Sequence, residues 1–395
     1  MAQPALDPPE QLAIATAPVP EYGTGSLADL LPTIAAHQGV AGTSAGIQEL
    51  APADRVCVFL IDGLGWEQLQ AHPGEAPYMT ALLGTSRGGT GRPITAGFPA
   101  TTATSLASVG TGLPPGAHGL PGYTVRDPET GGLMNQLRWQ PWTSPGQWQP
   151  HPTLFQRAAE AGVHTAQVSS PTFATTPLTQ VALSGGTFHG RLPGEERMDL
   201  AAEQLAGGDL SLVYTYYADV DGKGHRFGVD SDEWRAELAR ADRLVRRLAE
   251  QLPPRSALYV TADHGMLDVA FDEQHRIDFD DDWELRAGVA LLGGEGRARH
   301  VYAVPGAASD VLAVWQEVLG DRFWVAGRDE AIAAGWFGPV VEERVYRRLG
   351  DVIAAARDDV LITASLLEPK ESAMVGNHGS MTPAEQLVPL LEVRG

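Results

Sequence analysis

Five short segments carry the side chains that metal-assisted phosphoryl chemistry needs. They are LIDGLG (60–65), FPATTATS (98–105), DVDGKGH (219–225), TADHGM (261–266) and GNHGS (376–380). Four contain Asp or His beside glycine or at the end of an apolar run, and the other offers the hydroxyls of Thr101, Thr102, Thr104 and Ser105. Imidazole nitrogen and carboxylate oxygen are both zinc donors. Two neighbouring divalent ions need about six protein ligands, and together they clamp the attacking and leaving oxygens of a displacement at phosphorus. Taken singly, each segment has a plainer reading. Asp62-Gly63 is a turn signal, and His225 and His378 are loop histidines. Asp263-His264 is the stronger pair, since two metal-capable side chains follow one buried strand.

The elements that must position these residues share one grammar. Arg55–Ile61 is a continuous apolar run, the pattern of a strand covered on both faces, and it ends at Asp62. Ser211–Tyr217 reads as a strand running into Asp219 and Asp221, and Ala257–Thr261 as one running into Asp263 and His264. Between them, Asp232–Leu252 places Leu238, Ala241, Leu244, Val245 and Leu248 on one helix face. Strand, helix, strand implies a parallel crossover, and open α/β sheets build sites at the carboxyl ends of their strands. The fold class read here is α/β, with a mostly parallel central sheet and helices on both faces. Residues 1–25, rich in Pro and Ala, read as an extended arm, and 26–395 as the catalytic domain. A small inserted subdomain is expected at about 270–345, after the acidic run Asp278–Asp282. Asp351–Ala355 and Val360–Thr363 read as strands returning to the core sheet. Pro141–Pro152, with Trp142 and Trp148, reads as an irregular surface loop.

Composition narrows the partners. The 395 residues carry 28 Lys+Arg against 49 Asp+Glu, a net charge of −21, so a nucleic-acid polymer has no basic footprint to bind. A small phosphorylated substrate suits such a chain when cations sit in the site. The one cysteine, Cys57, cannot form an intrachain disulfide and reads as a buried thiol. There is no signal-peptide pattern and no run of 18 apolar residues, so no membrane association and a cytoplasmic location are expected.

In order and spacing, the five segments resemble the nucleotide pyrophosphatase/phosphodiesterase (type I phosphodiesterase) family of the alkaline phosphatase superfamily. The resemblance runs from Asp62 to His378. It implies one metal held by Asp221, His225 and His378, and another held by Asp62, Asp263, His264 and the nucleophile oxygen. The family's Asp-x-x-Gly-His spacing favours Asp221 over Asp219. Its nucleophilic threonine opens a helix ending in Thr-Gly. Here that pair is Thr111-Gly112, which points to Thr102, with Thr101 as the neighbouring choice and a helix N-cap as the non-catalytic role. The implied cofactors are two divalent ions, zinc by ligand type, with manganese or iron tolerating similar donors. The implied reaction is hydrolysis of a phosphodiester or pyrophosphate bond through a covalent phosphothreonine.

Departures from the family pattern touch substrate class more than metal chemistry. Eukaryotic family members carry Asn three residues after the nucleophile, where it binds phosphate; Ser105 stands there in this chain and can donate a hydrogen bond, though not as an amide would. A phosphomonoesterase or phosphonoacetate hydrolase would use the same metal set with an added cation, for which Arg126, Arg138 and Lys223 are available. A non-catalytic metal-binding protein is the remaining alternative. The sulfatase Cys-x-Pro-x-Arg pattern is absent. His118, His151, His164, His189, His275 and His300 fit no metal spacing, and Tyr123, Tyr216 and Tyr217 read as core packing.

Overall fold

The computed structural model describes residues 17–84, 90–139 and 144–395. Its main sheet has seven strands: β1 (Arg55–Ile61), β2 (Arg92–Thr95), β3 (His164–Ser169), β4 (Thr187–Gly190), β5 (Ser211–Tyr217), β6 (Ser256–Thr261) and β7 (Leu387–Arg394). Their order across the sheet is β2-β7-β6-β1-β5-β3-β4. β1 pairs in parallel with both β5 and β6, and β3 in parallel with β4 and β5. β7 alone runs antiparallel, between β6 and β2. The sheet is therefore mostly parallel, and every residue of β5 and β6 is buried, so both faces are covered. That cover explains the unbroken apolar run of β1, where each buried Val, Leu, Ile or Phe contributes roughly 1.5–3 kcal/mol. Cys57 is fully buried within it, and burial pushes its thiol pKa up.

Three helices bear on function. Thr102–Thr111 (α1) follows β2, Asp219–Phe227 (α2) follows β5, and Asp232–Ala249 (α3) follows directly. α3 buries Leu238, Ala241, Leu244, Val245 and Leu248 as its periodicity requires. The segment 219–225, read from sequence as a loop after a strand, is helical instead. Gly222 and Gly224 hide the helix from propensity. Gly224 is required because a Cβ there would run into the Met266 side chain.

Residues from 289 onward build a separate antiparallel sheet in the order Val289–Glu295, Ala298–Ala303, Val352–Ala356, Phe323–Gly327. Helix Ala308–Leu319 covers it, burying Val311, Trp315 and Leu319. The expectation that 351–355 and 360–363 return to the core sheet is incorrect. Val352–Ala356 lies inside this second sheet, and Leu361–Thr363 pairs with Arg276–Asp278. A fully buried strand has the same composition whichever sheet it joins, so its sequence does not name its neighbour. Of the N-terminal arm, only 17–25 falls within the described residues. Ala17 and Val19 pack on the cluster around Trp336 and Phe337, and the Tyr22 hydroxyl donates to the Trp336 carbonyl at 3.0 Å. Trp142 lies outside the described residues. Trp148 is buried, with the Arg348 guanidinium 3.7 Å from its ring, so that part of the loop is packed rather than superficial.

A buried ion pair ties the second sheet to the core. Arg297 Nε and Nη2 each donate to Glu385 at 2.7 Å, and both side chains are fully buried. Glu385 also accepts from Ser380 N and the Thr382 hydroxyl. Glu385→Ala strands a buried guanidinium, and a loss of about 3–5 kcal/mol is expected in urea unfolding. A change below about 1 kcal/mol would show the pair contributes like an exposed one.

Candidate metal and phosphoryl-transfer site

Three parallel strands deliver the acids. Asp62 follows β1, Asp263 and His264 follow β6, and Asp221 sits in the first turn of α2 beyond β5. Neighbouring strand ends lie side by side, so these residues converge at one carboxyl edge. Asp62 N donates to the Tyr217 carbonyl at 2.9 Å, and Asp221 N to the Asp62 carbonyl at 3.1 Å. Gly63 permits that approach. Its φ is +73°, and a Cβ would lie 2.8 Å from the Asp221 Cβ. Asp221 and His225 are one helical turn apart on α2, so they face the same way. His378 arrives on the loop after Gly376–Asn377, which pairs with Leu267–Asp268 just beyond His264.

The result is two groups, Asp221–His225–His378 and Asp62–Asp263–His264, each with its donor atoms within 4.8 Å of one another. In the first, Asp221 Oδ1 lies 3.3 Å from His225 Nε2 and 4.0 Å from His378 Nε2. In the second, His264 Nε2 lies 3.5 Å from Asp62 Oδ1 and 3.6 Å from Asp263 Oδ2. Donors about 2.0–2.1 Å from a tetrahedral zinc stand about 3.4 Å apart, so both groups are spaced for one ion. The imidazoles of His264 and His378 stack with centroids 3.7 Å apart, which sets the two groups against each other.

The surroundings fit cations. Asp62 Oδ1, Asp221 Oδ1 and Asp263 Oδ2 are buried without a hydrogen-bond partner among the described residues. Burial, then the nearby Asp263 and Asp221, push the Asp62 pKa well above the usual carboxylate value. Three buried carboxylates without counter-charge are costly, and divalent ions reverse that cost. Each histidine points its Nδ1 at a carbonyl: His225 at Gly376 (2.8 Å), His264 at Gly265 (3.0 Å) and His378 at Ala100 (2.9 Å). Those bonds fix the tautomer that leaves Nε2 free to ligate. Burial, then His264 and His225, hold the His378 pKa well below the usual value, so it stays neutral as a ligand must. Asp219 is exposed on α2 and belongs to neither group.

Thr102 stands at the start of α1, its Oγ1 3.4 Å from His264 Nε2. It alone of the α1 residues is not buried. Thr101 is the N-cap residue, yet its hydroxyl makes no capping bond. It donates instead to Glu295 Oε2 at 3.1 Å, leaving the first-turn amides of α1 available to an anion. Ser105 is fully buried and lines no cavity at the site, contrary to the phosphate contact its offset suggested.

Two cavities of unlike character open on this point, and Thr102, Leu137 and Asp221 line both. The first, about 260 Å³, has charged and polar side chains in its lining, among them Tyr123, Arg138, Glu295, Lys370 and Glu371. The second, about 220 Å³, is walled by Leu106, Phe173, Leu178, Leu183, Phe188 and Tyr216. Deep in it, the hydroxyls of Ser169 and Tyr214 are buried without partners among the described residues. Tyr123 lines the first cavity and Tyr216 the second, Tyr216 also packing in the main core as expected, while Tyr217 is buried and donates to Glu237. Tyr216 also donates to Asp62 Oδ2. Of the three cations considered from sequence, Arg138 reaches a cavity. Arg126 lies over the Tyr302 ring and Lys223 over Phe227. Glu295 and Lys370 were not legible, since each is a lone charge in a region without motifs.

The fold and this geometry suit phosphoester chemistry. Residues 56–381 match the family model described as type I phosphodiesterase / nucleotide pyrophosphatase, and the chain belongs to that family. Human ectonucleotide pyrophosphatase/phosphodiesterase family member 7 is 41% identical over 66 residues, which span 15% of this chain and 14% of that protein. Murine ectonucleotide pyrophosphatase/phosphodiesterase 5 shares the fold with a TM-score of 0.66 at 18% identity, over 85% of this chain and 87% of that one. Phosphonoacetate hydrolase from Sinorhizobium meliloti 1021, in complex with phosphonoformate, shares it with a TM-score of 0.65 at 20% identity, over 87% and 91%.

Proposed function

We propose that the protein hydrolyses phosphodiester or pyrophosphate bonds of nucleotide-like molecules, with Thr102 as nucleophile and two divalent ions, most simply zinc, as cofactors. The observation that carries this reading is the pair of cavities meeting at Thr102. A diester places two substituents around one phosphorus, and the site has two rooms for them, one with charged side chains in its wall and one walled by aliphatic and aromatic ones. The apolar room suits a ring, and its unpartnered Ser169 and Tyr214 hydroxyls suit polar atoms on the ring edge. A complex of the murine relative with AMP, in a Thr-to-Ala variant described as inactive, supports both the ligand class and a threonine nucleophile.

One ion would be held by Asp221, His225 and His378, and the other by Asp62, Asp263, His264 and Thr102. Bound there, the cations would lower the pKa of the Thr102 hydroxyl and neutralise charge on the phosphoryl oxygens. Thr102 Oγ1 then attacks phosphorus in line. A threonine O–P bond forms as the bond to the leaving oxygen breaks, and that oxygen departs to be protonated by water. The free amides at the start of α1 take a non-bridging oxygen and hold the phosphoryl group for attack. Water next attacks the phosphothreonine, releasing the second product and regenerating the hydroxyl.

One observation favours a second reading. Among the described residues, Arg138 and Lys370 line the first cavity without an ion-pair partner. Such cations suit the extra charge of a phosphomonoester, or the carboxylate of a phosphonate such as phosphonoacetate, which a structural relative binds. Hydrolysis of bis-p-nitrophenyl phosphate against p-nitrophenyl phosphate by zinc-loaded protein separates the two. The diester is expected to win by roughly 10–100-fold in kcat/KM. A monoester preference would move the assignment to a phosphatase.

A further inference from the structure

The second sheet sends one carboxylate into the catalytic edge. Glu295 ends the strand Val289–Glu295, and its side chain is only 13% exposed. Oε2 accepts the Thr101 hydroxyl at 3.1 Å and lies 3.6 Å from His378 Nδ1. Oε1 is buried and has no partner among the described residues. The backbone is shaped around this carboxylate. Gly379, at φ +130°, has no room for a Cβ, which would lie 2.9–3.1 Å from Glu295 side-chain atoms. The same turn joins the other segments, because Ala100 N donates to the Gly379 carbonyl at 2.9 Å while His378 Nδ1 meets the Ala100 carbonyl at 2.9 Å. Glu295 thus touches the loop before the nucleophile and the loop carrying His378 at their crossing.

We propose that Glu295 is a positioning residue of the catalytic centre, which holds His378 in place and keeps the Thr101 hydroxyl off the start of α1. The inference rests on the reading of Thr102 and the two ligand groups given above. Threonine at an N-cap ordinarily turns its oxygen onto the second or third amide of its helix. Those amides are the ones a phosphoryl oxygen needs. Thr101 cannot serve both Glu295 and the helix, so the carboxylate from the second sheet leaves the anion seat open. Without Glu295, Thr101 is released to cap α1 in competition with the substrate.

The test uses the full-length protein, zinc calorimetry and inhibition by inorganic phosphate. Glu295→Ala is expected to weaken zinc binding about 10–100-fold, the range for losing a group that orients a ligand. It should also raise the phosphate inhibition constant roughly fivefold, the scale of a capping bond. Adding Thr101→Val removes the competing hydroxyl, so phosphate affinity should recover while the zinc defect stays. Glu295→Gln keeps an acceptor oxygen and should restore most of both. Wild-type zinc and phosphate affinities in Glu295→Ala would overturn the proposal, as would a Gln variant as impaired as the Ala variant. Should Glu295→Ala fail to fold, Thr101→Val in the wild-type and Glu295→Gln backgrounds still decides. The acceptor at 295 already holds the Thr101 hydroxyl, so phosphate affinity should be unchanged in both, and a rise of about fivefold in either would show that hydroxyl capping α1 and would refute the proposal. Wild-type protein that binds no zinc would refute the underlying reading instead.

Discussion

Thr102→Ala is expected to yield a folded protein that still binds two cations and has lost about four to six powers of ten in turnover, the scale of removing a nucleophile. The structural cost is small. Thr102 is partly exposed at the first position of α1, and its hydroxyl makes no contact shorter than 3.4 Å with His264. Alanine is an excellent helix former there. Circular dichroism and zinc calorimetry should therefore match the wild type, while bis-p-nitrophenyl phosphate is barely hydrolysed. Thr101→Ala is the informative control. Its hydroxyl faces Glu295, so its loss should cost far less than the loss of Thr102. Retention of most activity in Thr102→Ala, or equal losses in the two variants, would sink the assignment.

Removing the cations is the second large effect. A chelator is expected to abolish hydrolysis, zinc to restore it, and the stripped protein to melt earlier. At a thousandfold excess over Kd each bound ion adds about 4 kcal/mol to folding stability. The pH dependence has a definite sign. In the bare site Asp62 holds its proton more tightly folded than unfolded, through burial and then Asp263 and Asp221. As pH rises from the ordinary carboxylate range towards that raised value, the unfolded chain ionises more readily, and Asp62 takes stability away from the metal-free fold. Bound cations cancel that loss, and protons compete with them less as pH rises. Calorimetric melting with and without chelator should therefore show a gap that widens between pH 5 and pH 8. Identical melting curves across that range would show that the buried carboxylates are not cation ligands.

Much of this site can be read from the chain alone, for a physical reason. A buried parallel strand must be apolar from end to end, so an acid just past its end stands out. Asp62 and Asp263 are conspicuous on that ground, and the structure gathers Asp62, Asp221, His225, Asp263, His264 and His378 as two compact groups. The rest depends on information that a local pattern does not carry. Gly222 and Gly224 obscure α2 by their low helix propensity, and Gly224 is there for close packing against Met266. Val352–Ala356 has the composition of any core strand, and only its partners place it in the second sheet. Glu295 and Lys370 acquire meaning only when distant segments meet. No stretch of helix among the described residues is long and apolar enough to cross a membrane.

The position of β7 has a consequence for how the chain is made. It lies between β2 and β6, inside the sheet, though it follows every other described strand in the chain. During synthesis, β6 must wait with one unpaired edge until residues near 390 have left the ribosome. His378 is also made late, more than 300 residues after Asp62. At the roughly 5–20 residues per second of translation, the interval between those two ligands lasts tens of seconds. An unfinished chain thus carries early acids that cannot yet be neutralised and an open strand edge. Until then that edge is open to pairing with other chains, and completing the sheet and closing the site become nearly the same event.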